Sequence, residues 1–211
     1  DVQQIWDALT SEIWPIFATS IRHLGFHDAN HLDNLRRLVS PTILTDLDQL
    51  NSIDSGGLCP NGIADDGPNA TAGQVLAKWL HIPSKNGQPK RLVCKDLDEG
   101  NIEWVNNFKE AFARATNSSV SYKIKFAVWN TPIEGPFELV NERTNEKLTL
   151  ERENYNYWWL LKRCPISEKA AAVQWENYEF WDDNLNKVKF NLWGDNNNRI
   201  GPLSPPSTEE K

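Results

Sequence analysis

The chain has 211 residues, of which 39% are hydrophobic and 24% are charged, and its formal net charge is -7. This composition is typical of a globular protein with a well-buried core and excludes a chain that is disordered throughout. The negative charge argues against nucleic acid or an anionic membrane as partner, because both require a positive field. No apolar run reaches the roughly 20 residues of a membrane-spanning helix. We therefore expect no nucleic-acid partner and no membrane span.

Export is the compartment that the sequence favours. The chain contains no methionine, which suits a processed protein. Sequons for N-glycosylation begin at Asn69 and Asn117, although a chain this rich in Asn, Ser and Thr produces about that many by chance. In an exported protein we expect a Cys59–Cys94 disulfide. Cys164 is then single, or forms a dimer by bonding to a second copy.

The first half of the chain is predicted to be helical. Apolar residues recur at three- and four-residue steps through the first 24 positions, and Pro15 is expected to kink this helix. Gly25 is a natural helix stop, and Asp28 is well placed to cap a second helix. A third helix is expected to begin at Pro41.

Three histidines raise the question of a metal site. His23, His27 and His31 stand four residues apart, which would place three ligands on one face of a continuous helix. The stop and cap just described interrupt that helix, so we expect no metal there. Asp65 and Asp66 lack the ligand spacing of a calcium-binding EF-hand loop. No metal and no cofactor are therefore predicted.

A long polar loop is predicted to interrupt the helices. Residues 52–72 are rich in Gly, Pro, Asn and Asp, the residue types that form turns. Helical spacing returns at 72–80 and 101–115, and the stretch NGQPKRLVCKDL between them is typical of a turn and a short strand.

The apolar period changes from about 3.6 to 2 near residue 119, which predicts strands. VSYKIKFAVW is one strand, and PFELVNERTNEKLTLERE is two strands around a turn near Thr144-Asn145. VQWENYEFWDDNLNKVKFNLWGD is predicted to form two more around Asp183-Asn184. Short turns between such strands favour antiparallel pairing.

The order of these elements predicts an α+β fold. N-terminal helices would pack on one face of a C-terminal antiparallel sheet of about four to six strands. We expect a single domain over 1–203, with a helical part at 1–116, a sheet part at 119–193, and a disordered tail at 204–211. Two subdomains that divide near 116–119 are the alternative.

Aromatic residues concentrate in the second half of the chain. Trp158 and Trp159 are adjacent, so on a strand they must point to opposite faces, and both faces are equally buried only if the sheet is covered twice. Most rings are expected in the core, while an exposed indole beside Asn, Glu and Lys suits a protein or glycan partner. The candidate ligand-binding residues are Trp158, Trp159, Trp175, Tyr178, Trp181 and Trp193.

A small secreted hydrolase is the alternative to a secreted binding protein. Paired carboxylates near aromatic rings can hydrolyse glycosidic bonds, but acidic residues also alternate with apolar ones on any solvated sheet face. No Gly-x-Ser-x-Gly nucleophile is present. We therefore favour the binding protein over the enzyme. The candidate carboxylates are Glu151, Glu153, Glu176, Glu179, Asp182 and Asp183.

Overall fold

The computed structural model describes residues 11–12, 14–61, 63–85, 87–95, 103–117, 120–128, 133–153 and 157–167. Its helices are α1 (Trp14–Ala18), α2 (Ala29–Leu38), α3 (Ile43–Asp46), α4 (Ala72–His81) and α5 (Glu103–Arg114). Its strands are β1 (His23–Phe26), β2 (Ser52–Gly56), β3 (Lys90–Lys95), β4 (Tyr122–Ala127), β5 (Phe137–Asn141), β6 (Glu146–Arg152) and β7 (Trp158–Pro165). The seven strands form one mixed sheet in the order β1-β2-β3-β4-β7-β6-β5.

The first four strands are parallel, and helices connect each to the next. Parallel neighbours need such crossover connections because the chain has to return to the same end of the sheet. Two helices begin at side-chain caps. The Asp28 carboxylate accepts a hydrogen bond from the backbone N–H of His31, 3.1 Å away, at the start of α2. Thr71 and Gln74 form a reciprocal capping box at the start of α4.

The last strands are antiparallel, with β7 between β4 and β6. The turn between β5 and β6 includes Asn145, whose φ of 54° lies in the left-handed region that Asn tolerates. Asn141 joins this hairpin to the end of α5. Its Nδ2 donates to the carbonyls of Phe112 and Ala115, at 2.8 and 3.0 Å, which satisfies groups that a helix end leaves unpaired.

One face of the sheet carries the core. Rings from the helices pack there: Phe108 lies 5.7 Å from Tyr122, and Trp104 lies 4.9 Å from Phe126, between ring centroids. We call this side the helix face and the opposite side the second face. Six apolar side chains in register across the helix face are 0% exposed: Leu24, Ile53, Leu92, Ile124, Leu161 and Leu150.

The predicted α+β arrangement is wrong in the first half of the chain, where strands alternate with helices. The sequence pattern missed β1, which begins within the predicted first helix, and β2, which lies in the predicted loop. Both strands are short, and β2 contributes only Ile53 to the core, so neither produces a clear apolar alternation. From β4 onwards, the predicted antiparallel strands are confirmed up to β6. The sheet is continuous across 116–119, since β3 pairs with β4. The predicted strands after residue 172 and the tail at 204–211 lie outside the described residues.

The predicted second helix and the helices at 72–80 and 101–115 are confirmed as α2, α4 and α5. The third helix is shorter than predicted and consists of α3 alone. The predicted polar loop is present after the end of β2, and the buried side chain of Arg36 anchors it. The Arg36 guanidinium donates to the carbonyls of Ala70 and Gly67, at 2.6 and 2.9 Å, so this loop is anchored to α2.

The predicted Cys59–Cys94 disulfide is absent, because all three cysteines are free and buried. The cysteine count that suggested the bond carries no information on geometry. Burial raises the pKa of the Cys59 thiol to about 12, and raises the pKa of Cys94 well above its usual value, so both thiols stay protonated. Cys164 is 1% exposed, and a bond to a second copy would require β7 to open locally. Dimerisation through Cys164 stays a prediction that this burial disfavours.

Within the described part of the chain, no helix has the length and apolar character needed to cross a bilayer.

Candidate functional site on the second face

The centre of the second face is rich in positive charge. Strands β3, β4 and β7 contribute five cations to it and no carboxylate, in a protein whose net charge is -7. Apolar side chains accompany these cations along β7. The residues of these three strands on the second face are Arg91, Val93, Lys95, Lys123, Lys125, Ala127, Trp158, Leu160, Lys162 and Cys164.

Three of these cations form a row across the strands. Arg91 pairs in register with Lys123, which pairs with Lys162, so neighbouring backbones are about 4.8 Å apart. Burial lowers the pKa of Lys123, and the charges of Lys162 and Arg91 lower it further. We call Arg91, Lys123 and Lys162 the cation row. Arg91 is buried, whereas Lys123 and Lys162 are partly exposed.

Carboxylates border the cation row on the β6 and β5 side. The distance from Lys162 Nζ to Glu151 is 3.9 Å, and that from Lys147 Nζ to Glu138 is 3.7 Å. Both exceed the length of a charge-assisted hydrogen bond, and both carboxylates are exposed. Ion pairs of this kind contribute about 0–1 kcal/mol, so these lysines can exchange partners at little cost.

Trp158 lies at one end of the same surface. The Nζ atom of Lys125 is 5.1 Å from the ring centroid, a cation–π distance. Lys125 is 3% exposed and forms an ion pair with Glu153, whose backbone N–H donates to the Trp158 carbonyl at 3.0 Å. These contacts orient the indole, while part of the ring remains exposed.

Trp159 lies on the helix face, as the alternation argument predicted. It packs against the core beside Leu150 and Gly135. A Cβ atom at Gly135 would lie 3.4 Å from Trp159 Cζ3 and 3.0 Å from Leu150, so the glycine makes room for this packing. Trp158 is therefore the described tryptophan that a partner on the second face can contact. The other candidates, Trp175, Tyr178, Trp181 and Trp193, lie outside the described residues.

The carboxylates proposed for hydrolysis are partly described. Glu151 lies on β6 on the second face, whereas Glu153 follows the end of that strand, and each is paired with a lysine: Glu151 with Lys162 and Glu153 with Lys125. The hydrolase alternative stays a prediction. Its other carboxylates, Glu176, Glu179, Asp182 and Asp183, lie outside the described residues.

The histidine ladder is divided between elements. His23 lies in β1, not in a helix as predicted, and its Nδ1 is 3.0 Å from Ser52 Oγ. His27 follows that strand, and His31 is in the first turn of α2 with its ring 3.1 Å from Asp28. Among the described residues, no three His, Cys, Asp or Glu side chains are grouped so that they could hold a metal ion.

Sequence reasoning missed the cation row. The alternation of Lys123 and Lys125 with Ile124 and Phe126 shows that β4 carries lysines on one face. Nothing in the sequence, however, places those lysines beside Arg91, because that requires the strand order and register.

Likeness to known proteins does not narrow the function. No family model, no curated protein and no solved structure matches this chain. Function is therefore inferred from the chemistry of the second face.

Proposed function

We propose that this chain is an exported, non-catalytic interaction protein that binds a protein partner through the second face, with Trp158 as the main contact. The observation that supports the proposal is a partly exposed indole held over the buried ammonium of Lys125. Tryptophan is enriched among the residues that dominate binding energy, and a ring that is already oriented loses little entropy on binding.

The neighbours of Trp158 favour a protein over a glycan. Leu160 lies two residues further along β7 on the same face and is partly exposed, and Val140 on β5 is exposed on that face as well. Aliphatic side chains pack against other apolar side chains, whereas sugar hydroxyls gain no hydrogen bond from them. A glycan remains the partner that the experiment below has to exclude.

The two sequons permit export without adding support to it, because a chain this rich in Asn, Ser and Thr contains about that many by chance. Asn69 and Asn117 are both exposed, as an attached glycan requires. Expression in a secreting eukaryotic cell should yield a protein whose mass falls on enzymatic deglycosylation. Substituting both residues by Gln should abolish that change, and an unmodified wild-type protein would argue against this part of the proposal.

The binding proposal is tested with a displayed library of short random peptides, an array of glycans and a turnover assay on polysaccharides. Each ligand found with the wild type is then measured against Trp158→Ala. We expect peptide ligands whose affinity falls by at least about thirtyfold in this variant, the effect of losing a main interface contact. The matched control is Ile63→Ala, which removes an apolar side chain that is 84% exposed in the loop before α4. This control should bind as the wild type does.

Folding is measured in parallel so that a loss of binding is interpretable. Trp158→Ala should keep most of the thermal stability, because its ring does not belong to the core, whereas Trp159→Ala should lower the unfolding free energy by about 2 kcal/mol. Ligands that bind Trp158→Ala unchanged would refute the proposal. Glycan ligands alone would refute the protein partner, and polysaccharide turnover would favour the hydrolase.

A further inference from the structure

The last strand of the sheet order, β5, presents an edge that fits a second copy of the chain. Beyond the partner proposed for Trp158, we propose that two copies of this protein associate through β5. Each β5 would pair antiparallel with β5 of the other copy around a twofold axis at Leu139, which joins the two seven-stranded sheets into one.

The backbone of β5 is an unprotected sheet edge. Within the described part of the chain β5 pairs with β6 alone, so alternate residues direct their backbone N–H and C=O groups away from the sheet. Proteins commonly protect such an edge with a lysine, a proline within the strand or a β-bulge. The strand Phe137–Asn141 contains no lysine or proline, and its register with β6 is unbroken over all five residues. It can therefore accept a further strand.

Both sides of β5 offer apolar contact. Val140 is 54% exposed on the second face, and Phe137 and Leu139 on the helix face are only partly buried against the core. An added strand would cover these side chains, and removing apolar area from water favours association. Because Asn141 binds the end of β5 to α5, this edge is already ordered and loses little entropy when a second copy pairs with it.

The opposite edge of the sheet lacks these properties. β1 has four residues, and the side chains of His23, Leu24 and Phe26 are 4%, 0% and 6% exposed. A short strand whose side chains are already buried gains little from a further neighbour. Association through β5 alone therefore closes at a dimer, whereas two open edges would continue into a fibre.

Charge favours a second copy in one register. With the axis at Leu139, Glu138 stands opposite Val140 of the second copy, so no two acidic residues are directly opposite. An axis at Glu138 would place the two Glu138 side chains opposite each other, and an axis at Val140 would place Glu138 opposite Glu142. Each Glu138 keeps Lys147 of its own copy at 3.7 Å, which balances the charge along the joined edges. A second copy thus supplies an ordered strand of equal length whose charges do not clash.

Sedimentation velocity at protein concentrations from about 5 to about 500 µM measures the association. We expect a reversible monomer–dimer equilibrium within this range and no larger species. The association should be weak, because two paired strands of five residues form an interface at the small end of the range known for proteins.

Two substitutions of one residue test the register. Val140→Glu places a carboxylate opposite Glu138 of the other copy, whereas Val140→Lys places an ammonium there. Both variants lose the apolar contact of the valine, so charge alone separates them. Because each dimer contains two such pairs, Val140→Lys should dimerise more tightly than Val140→Glu by roughly fourfold or more. Residue 140 is also in register with Lys147 of its own copy, so the same charges act on folding with the opposite sign. A change in folding stability therefore cannot imitate the expected result.

Control variants and amide exchange locate the contact. Ile63→Glu adds the same charge at an apolar side chain that is 84% exposed in the loop before α4, and it should dimerise as the wild type does. Cys164→Ser should also dimerise unchanged, which excludes a dimer through that thiol. Hydrogen exchange followed by mass spectrometry should slow in β5 as the protein concentration rises, and should not change in β1.

The outcomes separate this inference from the proposed function. Trp158→Ala should dimerise as the wild type does, whatever its effect on ligand binding. A wild type that stays monomeric over the whole concentration range, or equal dimerisation of Val140→Glu and Val140→Lys, would overturn the pairing at β5. Loss of dimerisation in Trp158→Ala but not in Val140→Glu would place self-association on the second face and would overturn it as well.

Discussion

A buried ion pair between β6 and β7 gives the most direct test of how the sheet packs on α5. The side chains of Glu146 and Arg163 are 2% and 4% exposed. Arg163 Nε and Nη2 donate to one carboxylate oxygen of Glu146, at 3.0 and 2.6 Å, and the guanidinium lies 5.4 Å from the ring of Phe112 on α5. Glu146→Gln keeps the shape of the side chain and removes its charge, so it leaves the buried guanidinium without a counter-ion.

The expected cost follows from this burial. Removing one member of a buried ion pair lowers the unfolding free energy by about 3–5 kcal/mol, because the remaining charge is desolvated without compensation. In a chain of this size about 1 kcal/mol corresponds to a change of roughly 2–4 °C in Tm, so Tm should fall by roughly 6–20 °C. Replacing both members, with Glu146→Leu and Arg163→Met, removes both desolvation costs and should stay within about 1 kcal/mol of the wild type.

Urea unfolding followed by circular dichroism measures Glu146→Gln and, as one double-mutant cycle, Glu146→Leu, Arg163→Met and the variant that carries both. The single losses should greatly exceed the loss in the double variant, which corresponds to a strong coupling between the two residues. A cost below about 1 kcal/mol for Glu146→Gln would mean that water reaches the pair. In that case α5 would not cover this end of the helix face, and the packing described above would be wrong.

Three further predictions concern pH and backbone contact. Burial lowers the pKa of His81 below its usual 6.5. The unfolded chain therefore takes up a proton more readily, and the unfolding free energy should fall as the pH drops below about 6.5. In His81→Phe the urea midpoint should lose this pH dependence, and an unchanged fall at acid pH would contradict the role of His81. Burial also lowers the pKa of Lys90 from 10.5 to about 7. Between these values the unfolded chain holds more protons than the folded one, so the unfolding free energy should rise with pH across that interval. The same urea titration should show a smaller rise for Lys90→Met. A Cβ atom at Gly56 would lie 2.4 Å from the His27 carbonyl oxygen, so Gly56→Ala should lower the unfolding free energy by about 1–3 kcal/mol. The control is Gly25→Ala, whose Cβ would meet no atom within 4 Å and which should change the unfolding free energy by about 0.5 kcal/mol or less. Equal effects of the two variants in urea unfolding would refute the close contact at Gly56.

The elements that could be predicted from the sequence are those with a full periodic pattern. Helices α4 and α5 each place several apolar residues on one side, and the hairpin of β5 and β6 alternates around a turn at Asn145. Such patterns report burial directly, because one face of each element contacts the core.

The parallel strands β1 and β2 could not be predicted in the same way. β2 is five residues long, and its buried residues include Ser52 and Ser55, so no apolar alternation marks it as a strand. Leu24 continued the helical spacing of the preceding residues by coincidence, although it lies in β1. The pairing partners of both strands decide their structure, and those partners are distant in the sequence.

In the candidate site too, a feature of a single strand could be predicted and a feature that requires several strands could not. The opposite orientation of Trp158 and Trp159 follows from alternation alone and could be predicted within one strand. The cation row could not, because Arg91, Lys123 and Lys162 belong to three strands. Both the parallel crossover from β3 to β4 and the antiparallel return of β7 are needed to align them.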